Sequence, residues 1–436
     1  MQIILLSGGS GKKLWPLSND VQSKQYIKLL KGPNGASESM IQRIYRQLSE
    51  LYPDAEMTVA TFRSQVSVVH DQIGEEVQLS VEPDRKNTFP AVVLASQYLK
   101  DIRKIDGSEY VVVCPVDLYM EDQFFKQLRQ LFKTSQRFGG IAVLGTEPRQ
   151  VQPDYGYIVP ENTENVSRVL SFVEKPDAQT AKKLIQHGAL FNAGFFAFQL
   201  NYILELSHHL IDYTDYDDLF NLYKTLIPSS FERSVLEKSE NVHVLRSHAE
   251  LNDLGTWEAI TKITDSRIIG NGYMNPTCGE VSVINNTEIP VLAVGLQKLV
   301  IAASQQGILV SSKEESTDIS PYVDHISRQV MFAQKSWGTF KVLDVGENSM
   351  TIKLFIRAGH RMSYHSHAYR DESWTVLSGS GRTIVDGMEQ QIGPGDVVTM
   401  EAGCRHTICA DTDMEVIEIQ RGKEITVLDK KKFVLE

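Results

Sequence analysis

The sequence predicts an α/β protein built in three parts: a largely parallel sheet covered by helices, a short β-rich stretch and a small antiparallel barrel. Three observations lead there. β-Branched runs alternate with helical spacing over residues 1–265. Helical spacing then vanishes between 270 and 312, and residues 333–436 repeat strand-like runs separated by glycine turns. The length of 436 residues agrees, because chains average ~150 residues per domain.

In order along the chain, IILLS (3–7) is a short apolar run that ends in glycines. ESMIQRIYRQLSELY (38–52) has helical spacing, with Met40, Ile41, Ile44, Leu48 and Leu51 on one stripe. MTVA (57–60), VQLSV (77–81), YVVVC (110–114) and IAVLG (141–145) read as strands, with helical segments at 89–104 and 121–137 between them. Strands alternating with helices imply a parallel sheet covered on both faces, with ligands at the carboxyl ends of its strands. VSVI, IPVLAVG, KLVIAAS and GILVS then follow one another as short strands over 266–332, a part closed by an expected connecting helix at 314–331. TIKLFI, SWTVLSG, RTIVDG, DVVTM and MEVIEIQ fit the closing barrel at 333–436.

Composition narrows the function classes. With 44 basic and 55 acidic residues, the net charge of -11 argues against a nucleic acid polymer or an anionic membrane as partner. Any anionic ligand must be held by locally placed lysines. Cys114, Cys278, Cys404 and Cys409 form no C-x-x-C pair, and no basic, apolar leader or membrane-length apolar run is present, so a cytoplasmic setting is expected.

The first chemical signal is Gly8-Gly9-Ser10-Gly11-Lys12-Lys13, directly after the first strand. Glycines let backbone N–H groups approach an oxyanion closely, and the lysines add charge. It is not a Walker A loop, which needs glycine where Leu6 stands and Ser or Thr where Lys13 stands. Its continuation is more specific. LSGGSGKKLWPLS (6–18) followed by SKQYIKL (23–29) resembles the signature of sugar-1-phosphate nucleotidyltransferases, and most of all the mannose-1-phosphate guanylyltransferases. VEPDRKNTFPA (81–91), CPVDLYM (114–120), GYI (156–158), FVEKP (172–176), FNAGFFAF (191–198) and LNDLGTWEAI (251–260) follow in the order of that family.

The resemblance implies a Rossmann-like (GT-A-like) catalytic domain in which a sugar phosphate oxygen attacks the α-phosphorus of a nucleoside triphosphate. Such catalysis is mainly positioning and neutralisation of phosphate charge. Asp117 and Asp253 match the family's Mg2+-binding aspartates, and Mg2+ suits sparse carboxylates completed by phosphate oxygens and water. Lys13, Lys24 and Lys175 match positions that meet phosphates. Gly8, Gly9, Gly11, Lys12, Glu82, Asn87 and Thr88 match the nucleotide side, and Gly156, Glu174 and Asn192 the sugar side. There are departures. Lys12-Lys13 replaces Thr-Arg, which removes arginine's bidentate fork; Ser23 replaces proline, Phe89 replaces alanine and Leu118 replaces histidine. These changes bear on which base and which sugar are used more than on the reaction type.

The second signal lies near the C-terminus. Gly359-x5-His365-x-His367-x4-Glu372-x6-Gly379 matches the first cupin motif, and Gly395-x5-Glu401-x-Gly403-x2-His406 the second, with Glu401 where proline is usual. His365 and His367, two apart on a strand, point to one barrel face. With Glu372 and His406 they form a candidate site for a divalent transition metal: Zn, Mn, Fe, Ni or Co. KSWGTFKVLD (335–344), RMSYHSHAYRDESWTVLSG (361–379) and EVIEIQRG (415–422) resemble the phosphomannose isomerase domain fused to guanylyltransferases in bifunctional enzymes. Here too there are departures: His365, Ala368, Tyr369, Ser373 and Thr407 stand where that domain has Gln, His, His, His and Arg. The expectation is a cupin that binds metal but whose isomerase activity is absent or altered.

The resemblance therefore implies an enzyme acting on a nucleoside triphosphate and a sugar 1-phosphate, with GDP-mannose the default product and a homodimer the default assembly. Two alternatives stand beside it: the same reaction with another base or sugar, and a non-catalytic sugar-nucleotide-binding protein. Retention of Asp117, Asp253, Lys24 and Lys175 speaks against the latter.

Overall fold

A computed structural model describes residues 1–9, 12–19, 22–249, 252–264, 266–323, 325–326, 330–423, 425–426 and 429–435, with only the backbone of Asn252 and Asp253. The chain divides into two compact units, Met1–Ser10 with Ser23–Thr264 and Gly11–Gln22 with Asp265–Glu436.

The first unit is built on a nine-stranded sheet. Its spatial order is Gln78–Glu82, Glu56–Phe62, Gln2–Leu6, Tyr110–Pro115, Leu190–Gln199, Ile141–Thr146, Val242–Ser247, Val166–Val173 and Tyr157–Pro160. The first four strands run parallel, as does the pair Ile141–Thr146 and Val242–Ser247. Leu190–Gln199 runs antiparallel between the two groups, so the sheet is mixed rather than largely parallel. Successive side chains on a strand point to opposite faces. Ile4 accordingly enters one core with Val93 and Phe196, while Ile3 and Leu5 enter the other with Ile41 and Leu48. Burial on both faces is the physical reason these strands read as continuous apolar runs.

The expected helix at 38–52 is Met40–Leu51, with Met40, Ile41, Ile44 and Leu48 buried. It starts where it does because Ser39 and Gln42 form a reciprocal capping box: Ser39 Oγ accepts the Gln42 N–H at 3.3 Å and Gln42 Oε1 the Ser39 N–H at 3.1 Å. The helix expected at 89–104 is Thr88–Asp101, buried along most of its length. Phe89 is 5% exposed and belongs to the core. The segment expected as one helix at 121–137 is two, Asp122–Phe125 and Leu128–Phe138.

In the second unit, Ile268–Gly270, Ser282–Asn285 and Leu299–Ser304 pair in parallel, as do Gly272–Met274 and Val291–Ala293, in the manner of stacked β-helix coils. Gly307–Ser312 closes the stack antiparallel. The segment Lys12–Asn19 docks here. Ser304 Oγ donates to Pro16 O at 2.6 Å, and Asn19 Nδ2 donates to Phe332 O at 3.3 Å. Gly307 has φ +152°, and a Cβ there would lie 2.6 Å from the Trp15 ring. The helix expected at 314–331 does not form as one element. Its described residues hold a 3-10 turn at Glu315–Thr317 and a short helix at Ser320–Val323. Pro321 lies at the start of that helix, where the missing N–H has no helical partner to lose.

The barrel follows. A six-stranded sheet runs Phe332–Lys335, Gly338–Val345, Ser349–Ile356, Met414–Gly422, Arg370–Ser378 and Val397–Met400. A five-stranded sheet runs Met388–Ile392, Gly381–Val385, His406–Ala410, His365–Ser366 and Lys431–Lys432. Ile352, Leu354 and Ile356, at period two, join Trp374, Val376, Met414 and Val416 in its core.

Candidate functional site

In the first unit, Gly8 and Gly9 follow the strand Gln2–Leu6, and Asp117 follows its neighbour Tyr110–Pro115. Buried polar side chains hold the glycine turn. Gln25 Nε2 donates to Ser7 O at 2.6 Å, Ser23 Oγ to Gly9 O at 2.9 Å, and Gln65 Nε2 to Ser23 Oγ at 2.6 Å. Ser23, a departure from the expected proline, thus becomes a strut of the loop. Lys24 Nζ lies 3.0 Å from Asp117 Oδ2. Each charge lowers the cost of holding the other at the strand ends.

Glu82 faces this turn, since a Cβ on Gly8 would lie 3.5 Å from Glu82 Oε1. Its other oxygen accepts the Tyr223 hydroxyl at 2.7 Å. Burial pushes the Glu82 carboxyl up to about 7, against the pull of the Tyr223 hydroxyl and the Arg85 charge. Asn87 and Thr88 have local duties. Asn87, at φ +70°, caps the helix Thr88–Asp101, and Thr88 Oγ1 accepts the Phe231 N–H at 2.8 Å. Of the remaining expected residues, Lys12 and Lys13 lie on the segment belonging to the second unit. Gly11 lies outside the described residues. The Asp253 backbone pairs with Leu118, and its side chain is likewise outside the described set.

Gly156, Glu174 and Asn192 come together. Asn192 N–H donates to Gly156 O at 2.8 Å, and a Cβ on Gly156 would lie 2.7 Å from Glu174 Oε2. A side chain at 156 would displace that carboxylate and the Phe172 ring, 2.8 Å from the same Cβ position. Lys175, exposed, adopts a left-handed backbone at φ +48° beside it. A link to the strand ends runs through Gly194, whose Cβ position is 3.4 Å from Pro115. Burial first, then the Glu232 charge, raise the Glu174 carboxyl to about 7, against Lys175 and Arg233. Sequence reasoning missed Glu232 and Tyr223. The only local sign of Glu232 is the acid-bearing stretch SFERSVLEKS, whose helix is a π-turn, Glu232–Leu236, with no periodicity to read.

In the second unit, His365, His367, Glu372 and His406 are buried, with ligand atoms within 4.8 Å of one another. His365 and His406 are register partners on adjacent strands, and Glu372 comes from the facing sheet. Each Nδ1 meets a backbone carbonyl: His365 that of Ser363 at 2.6 Å, His406 that of Cys404 at 3.0 Å, and His367 that of Asp429. These bonds hold Nδ1 protonated and leave the Nε2 lone pairs turned inward. Among the described residues, the buried His406 Nε2 has no hydrogen-bond partner, and Glu372 Oε2 lies 3.2 Å from it. Burial keeps His365 and His367 neutral, down to about 2 and about 4. Burial opposes ionisation of Glu372, but its polar neighbours, Arg370 among them at 2.9 Å, outweigh it and hold the carboxyl below the usual carboxylate range. Three imidazoles and one carboxylate are the donor set a divalent transition metal takes, and the orphaned Nε2 supports the fit. Arg370 completes the pocket, reaching Glu372 Oε1 at 2.9 Å and His367 Nε2 at 3.0 Å.

Comparison with known proteins agrees with both halves. A nucleotidyl transferase family model matches residues 2–267, and a cupin domain model matches 354–420. The alginate biosynthesis protein AlgA of Pseudomonas aeruginosa is 26% identical, over 96% of this chain and 93% of its own. A mannose-1-phosphate guanylyltransferase of Escherichia coli is 25% identical, over 96% and 95%. The crystal structure named as a mannose-1-phosphate geranyltransferase from Thermus thermophilus is alike in fold, with a TM-score of 0.62 at 24% identity over 74% of this chain and 98% of its own. Because the first model matches more than half of the 436 residues, this chain belongs to the nucleotidyl transferase family.

Proposed function

We propose that the protein joins GTP and mannose 1-phosphate into GDP-mannose and releases pyrophosphate. The names of its relatives support this reading, and one observation in the structure carries it: Glu82 presents a buried carboxylate oxygen toward the glycine turn. A carboxylate accepts hydrogen bonds, and guanine alone among the common bases offers two adjacent donors, N1–H and the N2 amino group. Binding such donors favours the ionised form of Glu82.

In the proposed reaction a phosphate oxygen of mannose 1-phosphate forms a bond to the α-phosphorus. The bond from that phosphorus to the bridging oxygen of pyrophosphate breaks, and pyrophosphate leaves with the electron pair. Asp117 and Asp253 would hold Mg2+, which when bound supplies neutralisation of phosphate charge. Lys24 and Lys175 would meet phosphate oxygens, as would Lys13, while Gly8, Gly9, Gly11 and Lys12 approach the triphosphate. Glu174, Asn192 and the Gly156 carbonyl would read the sugar hydroxyls. The boundaries 1–265, 266–332 and 333–436, a homodimer and a cytoplasmic setting belong to the same proposal.

The cupin would hold its divalent metal through His365, His367, Glu372 and His406. Thr407, where an arginine is expected, spends its hydroxyl on Met362 O at 2.8 Å, which supports an isomerase activity that is absent or altered. Pyrophosphate release should be measured for GTP, CTP, UTP, ATP and dTTP against several sugar 1-phosphates. Turnover is expected with GTP and mannose 1-phosphate and abolished by Asp117→Asn. A different preferred pair would replace the base or sugar named here. Rapid conversion of fructose 6-phosphate to mannose 6-phosphate by the full chain would overturn the reading of the cupin.

A further inference from the structure

We propose that Glu232 is a positioning residue of the sugar subsite, fixing the Asn192 amide through a hydrogen bond. The inference rests on the sugar-1-phosphate reading above and adds a residue to it. Asn192 Nδ2 donates to Glu232 Oε1 at 3.1 Å, while its Oδ1 accepts the Gly194 N–H at 3.1 Å. Held at both ends, the amide cannot flip. One N–H and one lone pair remain in fixed directions for a ligand hydroxyl.

Glu232 opens the π-turn; burial raises its carboxyl, while its own N–H, the Ser230 hydroxyl, the Asn192 amide and the Lys175 charge favour its ionised form. Such turns cluster at functional sites because they redirect side chains that an α-helix would space differently. The groups facing Glu174 are Glu232, Lys175, Arg233 and Glu237; Glu237 also accepts the Glu174 N–H at 3.4 Å. Glu232 opposes loss of the proton from Glu174, so near neutral pH that carboxyl can donate one hydrogen bond and accept others. A vicinal diol asks for both.

Glu232→Gln keeps the length and one acceptor but removes the charge, and Glu232→Asp keeps the charge but withdraws it by one methylene. In pyrophosphate release, Glu232→Gln is expected to raise KM for the sugar phosphate about fivefold, the difference between a hydrogen bond to a charged and to a neutral acceptor, with KM for the triphosphate unchanged. It should also move the limb of the KM–pH profile that belongs to Glu174 toward lower pH. Glu232→Asp should restore the limb but not the KM. Equal changes in both KM values, an unmoved limb with Glu232→Gln, or a lowered Tm accounting for the loss would each overturn the proposal. If wild-type protein turns over a different pair, the substrate assignment fails alone, and the same split is read with that pair. If it turns over none, both fall.

Discussion

At the residue scale, the proposed chemistry concentrates in a few charges placed against low-polarity surroundings. Lys24 is largely covered while its partner Asp117 is partly exposed, so removal of the lysine leaves an aspartate that solvent already reaches. Lys24→Met is therefore expected to fold, with an unchanged Tm, and to lower kcat/KM for pyrophosphate release by ~100-fold or more, the usual effect of losing one preorganised charge at a transferring phosphate. Glu82 sets a pH dependence whose sign follows from its environment. Its folded value, about 7, lies above the ordinary carboxyl value of 4.5, so the folded state keeps a proton that the unfolded chain has lost. The contribution of Glu82 is most favourable below pH 4.5 and declines as pH rises through 7, by a magnitude on the order of 3 kcal/mol. Urea unfolding at pH 5 and pH 7.5 should show a smaller loss for Glu82→Gln than for wild type. An identical loss in both proteins would show that Glu82 is not the group responsible.

At the scale of elements, the alternation of apolar runs with helical spacing was enough to place most of the strands it named within a residue or two. The capping box at Ser39 was present in the residues Ser39 and Gln42 before any coordinates. Ser39→Ala should cost about 1 kcal/mol in chemical denaturation, because one helix N–H loses its acceptor and Gln72 loses the Ser39 hydroxyl bond of 2.6 Å. Other elements escaped, two of them for plain physical reasons. The antiparallel course of Leu190–Gln199 is invisible in its residues, since FNAGFFAF satisfies a doubly buried strand in either direction. The segment at 314–331 has helical composition but no apolar stripe to bury, and only short turns survive among its described residues. Docking of Lys12–Asn19 on the β-rich stretch is a third element of this kind. Gly307→Val should lower the Tm of the second unit, since both the backbone at φ +152° and the Trp15 ring oppose a Cβ. An unchanged Tm would mean that Trp15 moves aside freely.

At the scale of the whole molecule, an acidic chain of net charge -11 still presents lysines where phosphates are expected, so bulk charge describes its solubility and not its ligands. The two chemistries are separable by experiment. His406→Ala removes one of four buried donors, and purified protein should lose bound transition metal, measured by elemental analysis, while pyrophosphate release continues. Retention of metal by that variant would place the ion elsewhere. Omission of Mg2+ from the assay should do the reverse, stopping pyrophosphate release while leaving the cupin metal in place.

By itself the sequence determined the class of fold and nominated the members of both candidate sites, because periodicity, glycine turns and motif spacing are local properties of a chain. The histidines and glutamate of the barrel belong to this group: spacing of two on a strand dictates a shared face. Only the tertiary structure decided how those residues are supported. Glu232 reaches Asn192 across forty positions of sequence, Tyr223 reaches Glu82 across 141, and the Asp429 carbonyl orients His367 across 62. Such partners come from elements brought together by burial of the sheet faces, and a buried polar group takes whichever partner packing places beside it.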